Sequence, residues 1–375
     1  MSKANEDDRM MLIALHEAAG IGWHTIERLV KAAQPLSLLF DWTEEQYAAA
    51  GLQPEKAAAV RKLLAGGELP SRRRAAKDES IRTVTRFDPD YPAFLIHTFS
   101  PPWVLYMIGN PRVFAEQPAI AIVGTRTPTA YGKRVAEDLA EGLADRGFAV
   151  VSGLARGIDA AAHRGSLKRE WATVAVLGTA IDTVYPPEHR ALYREIERNG
   201  VIVSEYPPGY PGHPGLFPQR NRIIAGLSVG TVVVEAALKS GSLITAVQAL
   251  ELSRDVFAVP GPITSPKSQG VFQLLRDGAI VTASVEHILE EYRWSPYLKP
   301  DPDAAGTAAK RIGARPELTV EERRIYDLIA PEPVTFDHLL AASGAEFGHL
   351  HSVLLSLLIK KHIEQLPGSS YKTIF

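Results

Sequence analysis

The chain has 375 residues, of which 46% are hydrophobic and 22% charged, and it carries a formal net charge of −2 and no cysteine. This length favours two or three globular domains, and the lack of cysteine excludes disulfides, thiol nucleophiles and cysteine-ligated zinc. Because the chain has no apolar run of 18 residues and its N-terminus is polar, we predict that it is cytoplasmic and has no membrane partner. Because it has no overall basic charge, any nucleic-acid site must concentrate its positive charge locally.

Residues 1–70 are predicted to form a small helical domain. Its first helical break, Gly20-Ile21-Gly22, resembles a helix-hairpin-helix or SAM-like element, in which backbone N–H groups of the turn can meet a DNA phosphate. The same turn would also serve a helical domain with no DNA contact, and the sequence does not separate the two interpretations.

Residues 71–115 are predicted to be a connector and an extension of the next domain. They open with a basic run that includes Arg72 and Arg74, which usually indicates a solvated segment. The prolines that follow, such as Pro89 and Pro92, favour extended, turn-rich backbone packed onto a neighbour.

Residues 116–293 are predicted to form a doubly wound α/β domain with an extended Rossmann-like, mostly parallel sheet. Amphipathic helices over 131–146 and 242–253 alternate with short strands of continuous apolar residues, which is typical of a parallel sheet covered on both faces. The predicted strands are 119–123, 148–151, 172–177, 200–203, 230–234, 255–259 and 279–282.

Residues 294–316 are predicted to be a linker, and residues 317–375 a winged-helix domain. Helices are expected near 319–329, 335–342 and 346–360, followed by a hairpin that turns at Pro367-Gly368. Residues 316–375 hold 5 Lys and Arg against 8 Asp and Glu, a net of −3. Because an acidic surface repels duplex DNA, we expect a protein contact or an intramolecular role for this domain.

The segments that follow the predicted strands share one composition. Ligands of a parallel sheet bind outside the carboxyl ends of its strands. There, nearly every segment combines Gly with Ser or Thr, and several add Arg or Lys, which is the composition of a site for a phosphodiester or a nucleotide. The segments that carry Arg or Lys after a strand are Gly124-Thr125-Arg126, Ser152-Gly153 through Arg156 and Lys239-Ser240-Gly241, and Arg220-Asn221-Arg222 lies just before the strand at 230–234.

Other polar and aromatic side chains near these segments receive narrower predictions. Asp159 is expected to cap a helix or to hold an arginine, and His163 and His189 to pack or cap. Glu205 and Glu235 are expected to face the same cleft. Tyr131 and Phe217 are candidates for stacking on bases. No motif indicates a catalytic residue, a metal site or a dinucleotide or ATP cofactor, because 124–132 reads GTRTPTAYG and no P-loop is present.

Seven stretches of the chain, in order, resemble the DNA-processing protein A (DprA/Smf) family. The matching stretches are AIVGTR, VVSGLARGIDAAAH, VAVLGTAIDTVYPPEH, SEYPPG, FPQRNRIIAGLS, VVVEAALKSGSLITA and FAVPGPI, within residues 81–292. The resemblance implies an extended Rossmann fold that binds single-stranded DNA, forms a homodimer, protects incoming DNA and delivers it to the RecA recombinase during natural transformation, with no enzymatic activity.

The resemblance also implies which residues contact phosphate. By position they are Gly124, Thr125, Arg126, Gly153, Arg156, Arg220, Asn221, Arg222, Lys239, Ser240 and Gly241. One departure is Thr127, where the family often has lysine.

Two other functions remain open on the sequence. Gly230-Thr231 with Glu235 loosely resembles the pattern of nucleotide phosphoribohydrolases on a related fold, although the two-glycine lead-in of those enzymes is missing. A sensor of a small nucleotide, with the winged helix as its regulatory output, is the other.

Overall fold

The computed structural model describes residues 3–65, 80–170, 172–293, 318–329, 334–360, 362–366 and 370–373. The chain divides into two compact units, residues 1–299 and 300–375. The predicted boundary near residue 70, the basic run at 72–74 and the predicted linker lie outside the described residues. Within the described part of the chain, no helix combines the length and apolarity needed to cross a bilayer.

The first unit begins with a group of helices. The first two are joined by the predicted glycine turn, where Gly20 adopts a φ of 81° that favours glycine. Thr43 and Gln46 form a reciprocal capping box that starts the third helix. The helices are α1 (Lys3–Glu17), α2 (Trp23–Ala32), α3 (Glu44–Ala49) and α4 (Pro54–Ala65), with a 3₁₀ turn at Leu36–Phe40.

Hydrogen bonds and apolar packing attach these helices to the rest of the unit. The indole of Trp23 donates to the carbonyl of Pro101 at 2.7 Å, and the indole of Trp103 donates to the carbonyl of Trp23 at 3.1 Å. A ring nitrogen of His16 lies 2.8 Å from the carbonyl oxygen of Glu205. The helical group therefore packs as part of the first unit.

Nine strands form one sheet in this unit. They are β1 (Arg82–Thr85), β2 (Val104–Gly109), β3 (Ala119–Val123), β4 (Ala149–Ser152), β5 (Thr173–Leu177), β6 (Val201–Ser204), β7 (Gly230–Val233), β8 (Asp255–Ala258) and β9 (Ile280–Val281). Their spatial order is β1-β2-β6-β5-β4-β3-β7-β8-β9. From β6 to β9 all pairs are parallel, which confirms the predicted mostly parallel sheet.

The structure differs from the sequence prediction at the start of this sheet. Residues 82–85 and 104–109 lie in the segment predicted to be a connector and an extension of the next domain, in which no strand was predicted. They form β1 and β2, which add two antiparallel strands beside β6. The prolines that suggested irregular backbone lie between these strands and leave their ladders intact. Residues 104–108 are buried, so this extension belongs to the core of the unit.

Helices cover both faces of the sheet. Ile120 and Ile122 of β3 share one cluster with Leu143, while Ala121 and Val123 pack on the opposite face in a cluster with Ile224. This alternation, with every position buried, is why the strands are continuously apolar. The helices are α5 (Ala93–Ile96), α6 (Val113–Glu116), α7 (Ala130–Asp145), α8 (Ile158–Ser166), α9 (Arg190–Asn199), α10 (Leu216–Leu227), α11 (Gly241–Glu251), α12 (Gln269–Arg276) and α13 (Val285–Glu291), with a 3₁₀ turn at Pro187–His189.

The second unit is a winged helix, as predicted. Its elements are α14 (Val320–Tyr326), β10 (Val334–Thr335), α15 (Phe336–Ser343), α16 (Phe347–Ile359), β11 (Ile363–Leu366) and β12 (Ser370–Thr373). The three strands pair in the order β10-β12-β11. Leu339, Leu350 and Leu357 are fully buried in its core. The turn predicted at 367–368 lies outside the described residues, between two strands that pair antiparallel.

Candidate nucleic-acid interface

The strand order places a crevice between β3 and β7. The chain builds β4, β5 and β6 on one side of β3 and then β7, β8 and β9 on the other, so the loops that follow β3 and β7 diverge at the carboxyl edge of the sheet. A cavity of about 590 Å³ opens at this edge. Six of the predicted phosphate-binding residues line it: Gly124, Arg126, Arg220, Asn221, Ser240 and Gly241.

The loop after β3 is held close to its neighbours. A Cβ at Gly124 would lie 2.6 Å from Cγ1 of Ile158 and 3.0 Å from the carbonyl oxygen of Glu235, so only glycine fits without a shift. The backbone N–H of Thr125 donates to that same carbonyl at 2.7 Å. Because this amide is already paired inside the protein, any contribution of Thr125 to phosphate binding would come from its other polar groups.

Arg126 is the most open cation of the cavity wall. Its side chain is exposed, and it forms no hydrogen bond or ion pair with the other residues that the structure describes. Its guanidinium group is therefore available for a ligand, and its planar fork suits phosphate oxygens.

Arg220 and Asp159 are two buried ionisable side chains in the wall of the cavity. A guanidinium nitrogen of Arg220 donates to the carbonyl of Val176, while Oδ2 of Asp159 accepts the backbone N–H of Gly153 at 3.1 Å. Burial lowers the pKa of Arg220 to about 10, which still leaves it charged at neutral pH, and burial raises the pKa of Asp159. Nε of Arg220 has no hydrogen-bond partner among the described residues. A Cβ on Gly153 would overlap the guanidinium group, which explains the glycine.

Arg156 lines a smaller, adjoining cavity and is paired. Its Nε forms an ion pair with Oε1 of Glu188, and the two side chains are 52% and 50% exposed. The hydrogen bond from Arg156 lowers the pKa of Glu188. An ion pair this exposed is weak, so a phosphate oxygen can compete with the carboxylate for Arg156.

The N-terminus of α11 points its first turn at the main cavity. Ser240 caps this helix, with its hydroxyl accepting the backbone N–H of Ser242 at 3.4 Å. A Cβ on Gly241 would meet no atom within 4 Å, which shows how open the backbone is here. Lys239 is exposed at the rim beside Ser240, although its side chain does not line either cavity.

Arg222 lies apart from the cavity and is neutralised by a carboxylate. Its Nη2 lies 2.6 and 2.7 Å from the two carboxylate oxygens of Glu205, and neither residue lines either cavity. A phosphate contact of Arg222 stays a prediction, and it would require this ion pair to open.

The structure also differs from the expectation that Glu205 and Glu235 face the cleft. Glu235 is 5% exposed, and its carboxylate accepts the backbone N–H and the hydroxyl of Thr129 at the start of α7. Gly132 gives it room, because a Cβ there would overlap the carboxylate. Both carboxylates therefore have partners inside the protein. Glu205 pairs with Arg222, and Glu235 accepts hydrogen bonds at the start of α7.

Aromatic side chains complete the cavity walls. Phe217, one of the two stacking candidates, lines both cavities together with Tyr185, a residue that sequence reasoning missed. Tyr131, the other candidate, lines neither, and its hydroxyl donates to the carbonyl of Pro260 at 3.0 Å. The only signal for Tyr185 was its place after β5 in the segment 174–189.

The histidines near the site have structural roles. His163 is fully buried, with Nε2 accepting the backbone N–H of Leu154 at 3.3 Å and Nδ1 lying 2.8 Å from the hydroxyl of Thr173. Nδ1 of His189 lies 2.9 Å from the carbonyl of Leu154. Among the residues that the structure describes, no group of three or more His, Asp or Glu could hold a metal ion.

Known proteins resemble this chain along most of its length. The family model for DNA recombination-mediator protein A matches residues 82–293, and the model for the DprA winged helix domain matches residues 309–369. The protein Smf of Synechocystis is 37% identical over 315 residues, which cover 77% of this chain and 79% of that protein.

Two solved structures share the fold. The DNA processing protein A of Streptococcus pneumoniae superposes with a TM-score of 0.66 at 31% identity, covering 75% of this chain and 97% of that one. The DNA processing protein A of Helicobacter pylori, described for its unique single-stranded DNA binding mode, gives a TM-score of 0.52 at 30% identity and covers 56% of this chain and 95% of that one.

Proposed function

This chain belongs to the DNA recombination-mediator protein A family, the DprA/Smf proteins, and from that membership we propose that it binds single-stranded DNA without acting on it as an enzyme. One observation carries the proposal. An unpaired arginine, Arg126, a buried arginine, Arg220, and the open N-terminus of α11 converge on one cavity at the switch point of the sheet. The Helicobacter pylori relative, a single-stranded DNA binder, supports the same ligand class.

The proposed mechanism is capture of the sugar–phosphate backbone. The arginines supply charge, and the glycines and the helix N-terminus supply close backbone approach, so successive phosphates are held without reading base sequence. Residues 116–292 carry 17 Lys and Arg against 19 Asp and Glu, so attraction comes from the placement of the charges, not from an excess of them.

An enzymatic role has less support. A phosphoribohydrolase-like reaction would need Glu235 beside the bound sugar, yet its carboxylate is buried and accepts two hydrogen bonds from Thr129. Incubation with nucleoside monophosphates, followed by chromatography for free base, tests this alternative. Release of free base at a catalytic rate would replace the binding proposal.

We extend the proposal to the cellular role that the family implies. The chain would protect incoming single strands in the cytoplasm, act as a homodimer, and load the RecA recombinase during natural transformation. Sedimentation of the purified chain tests the dimer, and RecA filament assembly on single-stranded DNA, with and without the chain, tests the loading.

The site is tested by Arg126→Ala. We expect an affinity loss of about tenfold or more for any single-stranded oligonucleotide, since a charged hydrogen-bond partner of phosphate is removed. The log–log salt slope should fall by about 0.7, the value for one lost phosphate contact to a single strand. Fluorescence anisotropy over a salt series measures both quantities.

Arg134→Ala is the matched control. Arg134 is 84% exposed on α7, pairs with Asp138, and lines neither cavity. We expect its loss to leave affinity and salt slope nearly unchanged. Equal effects of the two substitutions, or equal wild-type affinity for single-stranded and duplex DNA of one length, would count against the proposed site.

A further inference from the structure

Two aromatic rings lie side by side in the wall that the two cavities share. The ring centroids of Tyr185 and Phe217 are 5.2 Å apart with an interplanar angle of 44°. Both residues line both cavities, and so do Arg126 and Arg220. Apolar ring surface and guanidinium groups therefore border the same space.

Phe217 is fixed against the sheet. It is half-buried in the first turns of α10, and it packs on Gly178 just after β5, where a Cβ would lie 2.6 Å from its Cδ1 and 3.2 Å from its Cα. Because the contact is with the glycine backbone, the Phe217 ring is a rigid support for whatever packs against it.

Tyr185 is open by contrast. Its side chain is 44% exposed, and its hydroxyl makes no hydrogen bond to any other residue in the described part of the chain. A large ring that is neither buried nor hydrogen-bonded contributes little to folding, while its face offers a flat apolar surface to the solvent of the cavity.

A nucleotide in a single strand presents both of the groups that this space can accept. Its phosphate suits the arginines, and its unpaired base has a free π-face of the kind that stacks on aromatic side chains. In duplex DNA the base faces are covered by their neighbours, so a duplex offers phosphates alone.

We propose that Tyr185, supported by Phe217, is the base-stacking platform of this site. Stacking on this ring, and not the attraction of backbone charge, determines the preference of the site for single strands. The inference rests on the proposed single-stranded DNA binding and adds the specificity element to it. Phosphates supply attraction, and stacking on Tyr185 supplies discrimination.

The test compares an oligothymidylate with an abasic strand of equal length and equal phosphate number. The wild-type chain should bind the base-bearing strand more tightly, by about five- to 140-fold, the range for one stacked base. Tyr185→Leu should bring that ratio close to one while the affinity for the abasic strand stays the same. Tyr185→Phe should keep the ratio, since it keeps the ring.

Tyr131→Leu is the control, because Tyr131 is 48% exposed yet lines neither cavity. It should leave the ratio unchanged. The inference is overturned if Tyr185→Leu preserves the wild-type ratio, or if Tyr131→Leu lowers it equally. A wild-type chain that binds neither strand would instead remove the proposed function itself, and a thermal melt of each variant identifies any loss of folding.

Discussion

At the scale of single residues, the carboxylate of Glu188 competes with a DNA phosphate for Arg156, because the two side chains form an ion pair. The carboxylate occupies a cation that the sequence assigns to phosphate, and both side chains are about half exposed. Glu188→Gln should therefore free Arg156. We expect affinity for single-stranded DNA to rise about two- to fivefold at low salt, the scale of an exposed ion pair, and the salt slope to steepen by about 0.7. Anisotropy titrations at several salt concentrations measure both changes.

A second exposed ion pair provides the control for this prediction. Lys168 and Glu141 form a similar pair away from both cavities. Glu141→Gln removes the same charge from the chain, so it separates a local effect from a change in net charge. If the two variants bind equally, Glu188 does not compete with the DNA.

Several side chains at this scale could not be assigned from the sequence. Arg126 and Arg222 were both predicted to contact phosphate. In the structure the guanidinium group of Arg126 is open, whereas that of Arg222 is paired with Glu205. The difference arises because Glu205, just after β6, lies beside Arg222, and the sequence alone does not show that the fold brings these two residues together. Tyr185 was missed for the same reason, because its proximity to Phe217 arises from the packing of α10 beside β5.

At the scale of elements, apolar runs predicted the parallel strands to within one or two residues, because full burial on both faces leaves a strong signal. The same reasoning missed β1 and β2. They lie among prolines and pair antiparallel at one edge of the sheet, so their residues resemble a connector until the partner β6 is known.

A substitution at this edge tests whether β1 and β2 extend the sheet as described. Gly109 at the end of β2 has a φ of 102°, and a Cβ there would overlap the carbonyl oxygen of Gly200. Gly109→Ala should destabilise the first unit by about 3 kcal/mol, combining backbone strain with overpacking. Urea unfolding measures the change in the free energy of unfolding.

Gly278, which precedes β9 at the opposite edge, is the matched control. Its φ is 100°, but a Cβ there would meet no atom within 4 Å. Gly278→Ala should therefore cost only the backbone strain, about 1 kcal/mol. Equal destabilisation by both substitutions would mean that β2 does not pack against the segment before β6 as described.

Within the winged-helix unit, Glu322 links stability to pH. Its carboxylate accepts hydrogen bonds from Lys360 at 2.6 Å, Ser356 at 2.7 Å and the backbone N–H of Thr319 at 2.7 Å. The hydrogen bond from Lys360 is the largest of the causes that lower the pKa of Glu322 to about 2. Because the folded pKa lies below the unfolded value, this stabilisation is complete above the unfolded pKa and is lost as pH falls from about 4.5 towards 2.

Glu322→Gln should remove that pH dependence. We expect the variant to be less stable at neutral pH by roughly 2 kcal/mol and to change little between pH 5 and pH 2. Amide hydrogen exchange across α14 and α16 follows the unit within the full chain. Glu346→Gln is the control, since Glu346 precedes α16 without capping it. A wild-type unit whose protection is constant down to pH 2 would contradict the assignment.

At the scale of the whole molecule, the two units differ in the surfaces they offer to nucleic acid. The first holds the cavity with Arg126 and Arg220. In the second, the exposed side chains Phe347, His351 and Leu355 follow one another at four-residue spacing along α16, with no lysine or arginine between them. With the net charge of −3 over residues 316–375, such a helix is poorly suited to a phosphate backbone.

It follows that the first unit should account for single-stranded DNA binding. A chain ending at Arg293 should bind an oligothymidylate within about twofold of the full chain and with the same salt slope, because all predicted phosphate contacts lie before that residue. The comparison needs equal oligomeric state, which sedimentation establishes, because pairing of two sites would add avidity. A tenfold loss at equal oligomeric state would show that residues 294–375 contact the strand and that the acidic character of the winged helix does not keep it from DNA.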